Sequence, residues 1–242
     1  QRLSRSNWPY CDSTYPDAFS GEKDSCGVGF IASVEGKQNH WVLTQALRGL
    51  SCMEHRGGCG GDSDSGDGAG ILCEIPWSYL SQVWETAKQC DPHLSGVGMI
   101  FMPKDLKNRE IAKKICEQEA ASLGLISKGW RDVPVNEAVL GKLARENEPF
   151  ITQWIVNVKD KEINLEALLF RLKQRISNRA NIELKEDKLG LYICSLSNKT
   201  IVYKGMVRSE ILAPFYIDLN DDRFEVSYAV YHRRFSTNTL PK

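Results

Sequence analysis

The stretch Asp24-Ser-Cys-Gly-Val-Gly-Phe-Ile-Ala-Ser-Val34 decides how the chain is read. From Cys26 to Val34 it is short, apolar and closed by Gly36, the pattern of a buried strand. What precedes it is different in kind. Residues 1–25 carry Asn7-Trp-Pro-Tyr10, Tyr15-Pro-Asp17 and Ser20-Gly-Glu-Lys-Asp24, turn formers and charges without a helical or strand period, and read as an arm. A cysteine thus stands where arm meets strand. Most single cysteines are packing residues, but cutting the Ser25–Cys26 bond would put a thiol and a free α-amine on one residue. An α-amine ionises at about 8, against about 10.4 for lysine, so it serves as a base near neutrality without burial. A thiol of ordinary pKa, about 8.5, would then have its own base beside it.

Outward from this strand, Trp41, Val42, Leu43, Ala46, Leu47, Leu50 and Met53 recur at helical spacing and predict an amphipathic helix over 41–54. A glycine-rich loop follows from Arg56 to Gly70 and feeds the apolar run Ile71–Ile75. Further helices are predicted over 76–89, 106–123 with Gly124 as cap, and 165–180, where Leu165, Leu168, Leu169, Leu172 and Ile176 share a face. Strands are predicted over 97–102, 150–158 and 224–233. Residues 191–196 and 200–203 flank Ser197-Asn-Lys199 as a hairpin. The mixture is α+β with antiparallel pairs and two layers of sheet.

Composition narrows the class. With 242 residues, 42% hydrophobic and 26% charged, the chain can bury a substantial core and is neither disordered nor fibrous. Lys and Arg number 31 against 31 Asp and Glu, and no local basic patch stands out, so neither nucleic acid nor an anionic membrane is an expected partner. The longest nearly apolar stretch, Gly96–Met102, is far short of the roughly 20 residues that cross a bilayer. Eight cysteines, at 11, 26, 52, 59, 73, 90, 116 and 194, form no Cys-x-x-Cys pair and no framework, which suits a reducing compartment, cytoplasm or plastid stroma.

The glycine loop fits none of the common ligand motifs. Gly66-Asp-Gly-Ala-Gly70 has the wrong spacing for a dinucleotide fingerprint, and no Gly-Lys-Ser/Thr follows it. A calcium loop starting at Asp62 would need glycine sixth and glutamate twelfth, where Asp67 and Cys73 stand. Cys52, His55, Cys59 and Cys73 match no common zinc spacing, so no metal ligand is assigned. The glycines are better read as backbone turning tightly beside something, with Arg56 at the loop's mouth placed to pair an anion or carbonyls. Near the other end, Tyr231-His-Arg-Arg-Phe-Ser-Thr-Asn-Thr239 offers arginines able to hold a carboxylate through a two-pronged contact; His232 reads as a structural donor.

Five segments together carry a resemblance: Cys26-Gly-Val-Gly-Phe30, Cys52-Met-Glu-His-Arg-Gly-Gly58, Asp62 with Ser65-Gly-Asp-Gly-Ala-Gly-Ile71, Tyr203-Lys-Gly-Met206 and His232-Arg-Arg-Phe-Ser-Thr-Asn-Thr239. They resemble the class II glutamine amidotransferase domain of the glutamate synthase family, most closely the ferredoxin-dependent type of cyanobacteria and plastids. The resemblance implies an N-terminal-nucleophile hydrolase, a four-layer αββα sandwich of which this chain is the front part. Residues 1–25 would then be a propeptide, and 26–242 the N-terminal part of the amidotransferase domain, with Ser25–Cys26 as the processing bond.

On that resemblance, Cys26 attacks the side-chain amide of L-glutamine. Arg234 holds the substrate carboxylate, Phe235 and Thr237 line the same pocket, and Arg56 sits beside the nucleophile. No cofactor is implied for this segment. The complete enzyme would use FMN, an iron–sulfur cluster and ferredoxin to aminate 2-oxoglutarate with the released ammonia, in domains of the same polypeptide. The family's oxyanion hole lies beyond the Arg-Phe-Ser-Thr-Asn-Thr strand, so the chain as written is expected to be a weak glutaminase, and inactive while Cys26 is internal. Two competing readings stand beside this one, a non-catalytic metal-binding or interaction module and an amidotransferase domain of another synthase.

Overall fold

The computed structural model describes residues 27–53, 65–159, 164–184, 187 and 190–233. Eight strands are present among these residues: β1 (Gly27–Ala32), β2 (Ser65–Glu74), β3 (Ser95–Met102), β4 (Ile126–Asp132), β5 (Phe150–Asn157), β6 (Tyr192–Ser197), β7 (Thr200–Val207) and β8 (Tyr228–Arg233). They form two four-stranded sheets, ordered β1-β8-β2-β7 and β4-β5-β3-β6, with every pairing antiparallel. The helices are α1 (His40–Cys52), α2 (Trp77–Val83), α3 (Glu85–Lys88), α4 (Leu106–Ser122), α5 (Lys142–Glu146), α6 (Leu165–Glu183) and α7 (Leu212–Phe215). The expected mixture of helices and two antiparallel sheets is therefore present.

Local chemistry starts the main helices. Asn39 caps α1 by accepting from the Val42 amide at 3.0 Å, Asp105 caps α4 through Asn108 at 2.9 Å, and Asn164 caps α6 through Ala167 at 3.1 Å. α1 turns Val42, Leu43, Ala46 and Leu50 into the core. It can approach the first sheet closely because glycine faces Tyr231 from both sides. A Cβ on Gly29 of β1 would come within 2.4 Å of the Tyr231 ring, and one on Gly49 of α1 within 2.5 Å of its hydroxyl. The tyrosine fills a slot that only two glycines leave open.

The second sheet has an order that the sequence concealed. β3-α4-β4-α5-β5-α6-β6 is a split β-α-β unit with the short α5 in its middle connection, its two crossovers placing β3 and β5 at the centre and β4 and β6 at the edges. Alternation along its central strands separates two cores. Ile100, Met102, Trp154 and Val156 face α4 and α6 in one. Val97, Met99, Ile151 and Ile155 join the first sheet, α1 and α2 in the other. Across the helix pair, Glu119 of α4 accepts from Arg175 at 2.6 Å and Arg179 at 3.3 Å of α6, and these arginines hold its carboxyl below the usual carboxylate range.

The structure departs from the sequence reading at several points, among them the start of β8, at Tyr228 rather than Phe224. β2 starts at Ser65 rather than Ile71, so the last third of the glycine-rich segment is strand. The helix expected over 76–89 is broken at Trp84, which takes an extended conformation (φ −142°, ψ 106°) and buries its indole. β4 was not anticipated, because Ile126-Ser-Lys-Gly-Trp-Arg-Asp132 has little apolar alternation and lies at a sheet edge. Finally, β6 and β7 are not paired as a hairpin ladder. Ser195 Oγ accepts from the Val202 amide at 3.1 Å, and Ser197 Oγ accepts from Lys199 and Thr200 at 3.0 and 3.1 Å. Hydroxyls thus take amides that ladder carbonyls would have taken, and the chain passes from one sheet to the other.

A buried ionic cluster joins the two halves. Asp218 is fully buried and accepts two bonds from Arg131 of β4, at 2.7 and 2.8 Å, one from Tyr79 of α2 at 2.8 Å and one from Tyr203 of β7 at 3.0 Å. Gln153 of β5 donates to Tyr203 Oη at 3.0 Å and accepts from Arg131 at 2.8 Å. Burial, reinforced by the Asp218 charge, pushes both tyrosine pKa values up, so the phenols stay protonated donors. Removing one member of a buried pair strands the other's charge, at a cost of about 3–5 kcal/mol. Asp218→Ala should lose that much in urea unfolding, and a volume-matched apolar pair, Arg131→Met with Asp218→Leu, should recover most of it; a loss below about 1 kcal/mol for the single variant would contradict the cluster's role.

Candidate active site

Four strand ends and one helix end meet at one margin of the first sheet. β1 begins at Gly27, β8 ends at Arg233, and the two residues are direct partners. Arg233 is also the partner of Ala69 on β2, and Ser65 at the start of β2 pairs with Val207 at the end of β7. Met53, just past α1, closes on Gly27: a Cβ there would sit 2.8 Å from the Met53 sulfur.

The register slips between Ser65↔Val207 and Ala69↔Gly205, so β2 bulges over 66–68. Gly68 has φ +114°, a conformation that L side chains rarely adopt, and the bulge turns its carbonyl toward Arg233. A Cβ on Gly66 would meet the Arg208 amide nitrogen at 2.7 Å, so β2 lies flush against β7 here. Arg233 itself is fully buried, and its Nη1 donates to the carbonyls of Gly68 at 3.2 Å and Val207 at 3.4 Å. Among the described residues, the arginine against the glycine backbone is Arg233; Arg56, expected there, lies outside them. Arg233 was passed over in the sequence, although Ala229, Tyr231 and Arg233 alternate as one buried face of β8 and that period was there to be read.

Every residue proposed from the sequence for processing, catalysis or substrate binding lies outside the described segments. Ser25 and Cys26 precede Gly27, Arg56 follows Met53 by three positions, and Arg234, Phe235 and Thr237 follow Arg233. What the structure provides is their described neighbours, all at the one margin. Three described thiols are tuned away from nucleophilic chemistry: burial pushes Cys73 and Cys116 far up and Cys194 up to about 12. Among the described residues there is no cluster of three or more His, Cys, Asp or Glu placed to hold a metal ion, and no helix long and apolar enough to cross a membrane.

The chain matches the family model for class II glutamine amidotransferases over residues 26–242. It belongs to that family, whose domains have the N-terminal-nucleophile hydrolase fold. It is similar to ferredoxin-dependent glutamate synthase 2 of Synechocystis sp., 46% identical over 225 residues, and to the chloroplastic/mitochondrial ferredoxin-dependent glutamate synthase 1 of Arabidopsis thaliana, 45% identical over 226. The spinach chloroplastic enzyme is 43% identical over 226 residues. Each match covers 91% of this chain and 14% of the relative.

His232 lies on β8 opposite Val28 and Gly70, partly buried, and its burial lowers its pKa below the ordinary histidine value. The unfolded chain then binds a proton at a pH where the folded one does not, so stability falls on acidification. The loss sets in near the unperturbed value of about 6.5 and levels off once pH is below the lowered folded value. Thermal midpoints measured from pH 8 downward should fall less steeply for His232→Gln than for the parent; parallel curves would show that His232 does not contribute.

Proposed function

We propose that this chain is the glutaminase part of a ferredoxin-dependent glutamate synthase, with Cys26 as its nucleophile. The observation that carries the reading is the pairing of Gly27 with Arg233. It places the strand that starts after Cys26 beside the strand that ends before Arg234, at the margin to which α1 and the glycine-rich segment also lead. The class II amidotransferase match begins at Cys26 itself, which supports residues 1–25 as a propeptide and 26–242 as amidotransferase domain.

In the proposed reaction, cleavage of Ser25–Cys26 frees the α-amine of Cys26. That amine takes the thiol proton as sulfur attacks the glutamine δ-carbonyl, and returns it to the leaving nitrogen. Ammonia departs and a glutamyl thioester remains; water, deprotonated by the same amine, releases glutamate and regenerates the thiol. Arg234 anchors the substrate α-carboxylate with two parallel charge-assisted bonds, Phe235 and Thr237 line that pocket, and Arg56 stands beside the nucleophile. The ammonia aminates 2-oxoglutarate in the remaining domains of the polypeptide, where FMN and an iron–sulfur cluster supply reducing equivalents from ferredoxin. Relatives named as chloroplastic, together with the cyanobacterial one, favour plastid stroma or cytoplasm.

The test uses the full-length enzyme. Mass spectrometry should find a mature chain starting at Cys26. Cys26→Ala should abolish glutamine-dependent glutamate formation while ammonia-dependent turnover persists; an unchanged glutamine rate would refute the assignment.

A further inference from the structure

We infer that Arg233 is a positioning residue for glutamine hydrolysis: its buried guanidinium sets the mutual placement of the strand ends that carry the proposed nucleophile and the proposed carboxylate anchor. This rests on the glutaminase reading above. The geometry behind it is independent of the proposed site residues, because every contact lies among described ones.

Arg233 spans three strands. Its backbone pairs with Gly27 on one side and Ala69 on the other, and its side chain reaches the carbonyls of Gly68 and Val207. Those two carbonyls flank the bulge at which the β2–β7 register slips. A bulge disrupts the ladder, and buried carbonyls near it need donors. A guanidinium suits this place because it is planar and its Nη1 carries two N–H groups in fixed directions, one for each carbonyl. Lysine has one point-like ammonium on a flexible stem and would not hold two carbonyls in the same fixed relation. Burying a side chain this polar costs desolvation, which favours the bulge conformation that bonds it over any that does not.

The consequence is mechanical and specific. With the guanidinium removed, the Gly68 and Val207 carbonyls lose their bonds to β8, while Arg233's backbone keeps its pairing with Gly27 and Ala69. The residue after Arg233 is the proposed anchor of the glutamine carboxylate, and the residue before its partner Gly27 is the proposed nucleophile. A shift of about an ångström between the two misaligns the amide carbon with the thiol, and such misplacement is known to lower rates by as much as about a hundredfold. Ammonia-dependent synthesis uses neither group. The fork should therefore matter for glutamine and not for ammonia.

The experiment compares full-length enzyme carrying Arg233→Met, Arg233→Lys and Cys26→Ala with the parent, measuring kcat and KM for glutamine, the ammonia-dependent rate and the thermal midpoint. Arg233→Met should lower kcat/KM for glutamine about ten- to a hundredfold with a raised KM, Arg233→Lys should fall between it and the parent, and the ammonia-dependent rate should stay within about twofold. Glutamine kinetics within about twofold of the parent in folded Arg233→Met, or equal losses in both reactions, would overturn the inference. If Arg233→Met does not accumulate as folded protein, Arg233→Lys decides on the same criteria. Cys26→Ala separates the two levels: its loss of glutamine turnover leaves the Arg233 variants to judge the positioning role, whereas retained turnover removes the glutaminase reading and the inference with it.

Discussion

Asp218 is the constraint on which the arrangement of the two sheets depends. A carboxylate fully withdrawn from water is tolerable only when nearly every lone pair is met, and here one arginine fork and two phenols meet it. The donors come from β4, α2 and β7, two of them from the first half of the fold and one from the split β-α-β unit. Hydrophobic burial alone would keep the halves together without fixing their angle, because it has no direction. The ionic cluster has direction, and it acts on β7, the strand whose far end closes the glycine bulge.

From there the geometry passes along the ladder. Tyr203 on β7 is opposite Ile71 on β2, which is opposite Tyr231 on β8, which is opposite Gly29 on β1. These four lie on one face, and the single tyrosine slot between Gly29 and Gly49 pins the register of β8 against β1 and α1. A slip by one residue would turn Tyr231 and Arg233 to the opposite face and exchange buried groups for exposed ones. Register is thus what brings Gly27 and Arg233 together. The opposite face of the same sheet is more open, with Val28 60% and Phe30 74% exposed, so its pattern contributes less to that specification.

Much of this was legible in the residues. Apolar periodicity located α1, α4 and α6, because each buries a stripe, and the short apolar runs located β1, β3 and β5, because both of the central strands are covered on two faces. The edge strand β4 was silent since half its surface is polar and Trp130 packs by stacking on Trp154, 5.0 Å between centroids, instead of by alternation. The segment 191–203 was misread because its spacing is that of a hairpin, while Ser195 and Ser197 divert its amides. In the candidate site, the residues that the motifs propose lie close in sequence to the described residues of this one margin. Arg233, the buried residue among those described, is hard to read from the motifs, since an arginine next to another arginine looks like surface charge until strand parity is applied.

The placement of the proposed nucleophile follows from what the cores do to thiols. Cys73, Cys116 and Cys194 lie within packed layers, where lost hydration penalises the thiolate and no compensating cation outweighs it. A nucleophilic cysteine in this fold therefore has to stand outside those layers and bring its own base. His232 does not share the buried face of β8 that carries Tyr231 and Arg233; it lies on the other face, opposite Val28. An α-amine on the cysteine itself meets the need without any further side chain, since it titrates near neutrality as it stands. The price of that economy is geometric: with nucleophile and base on one terminal residue, accuracy must come from the strand it begins, and that strand is held at its first described residue by the partner of Gly27, Arg233.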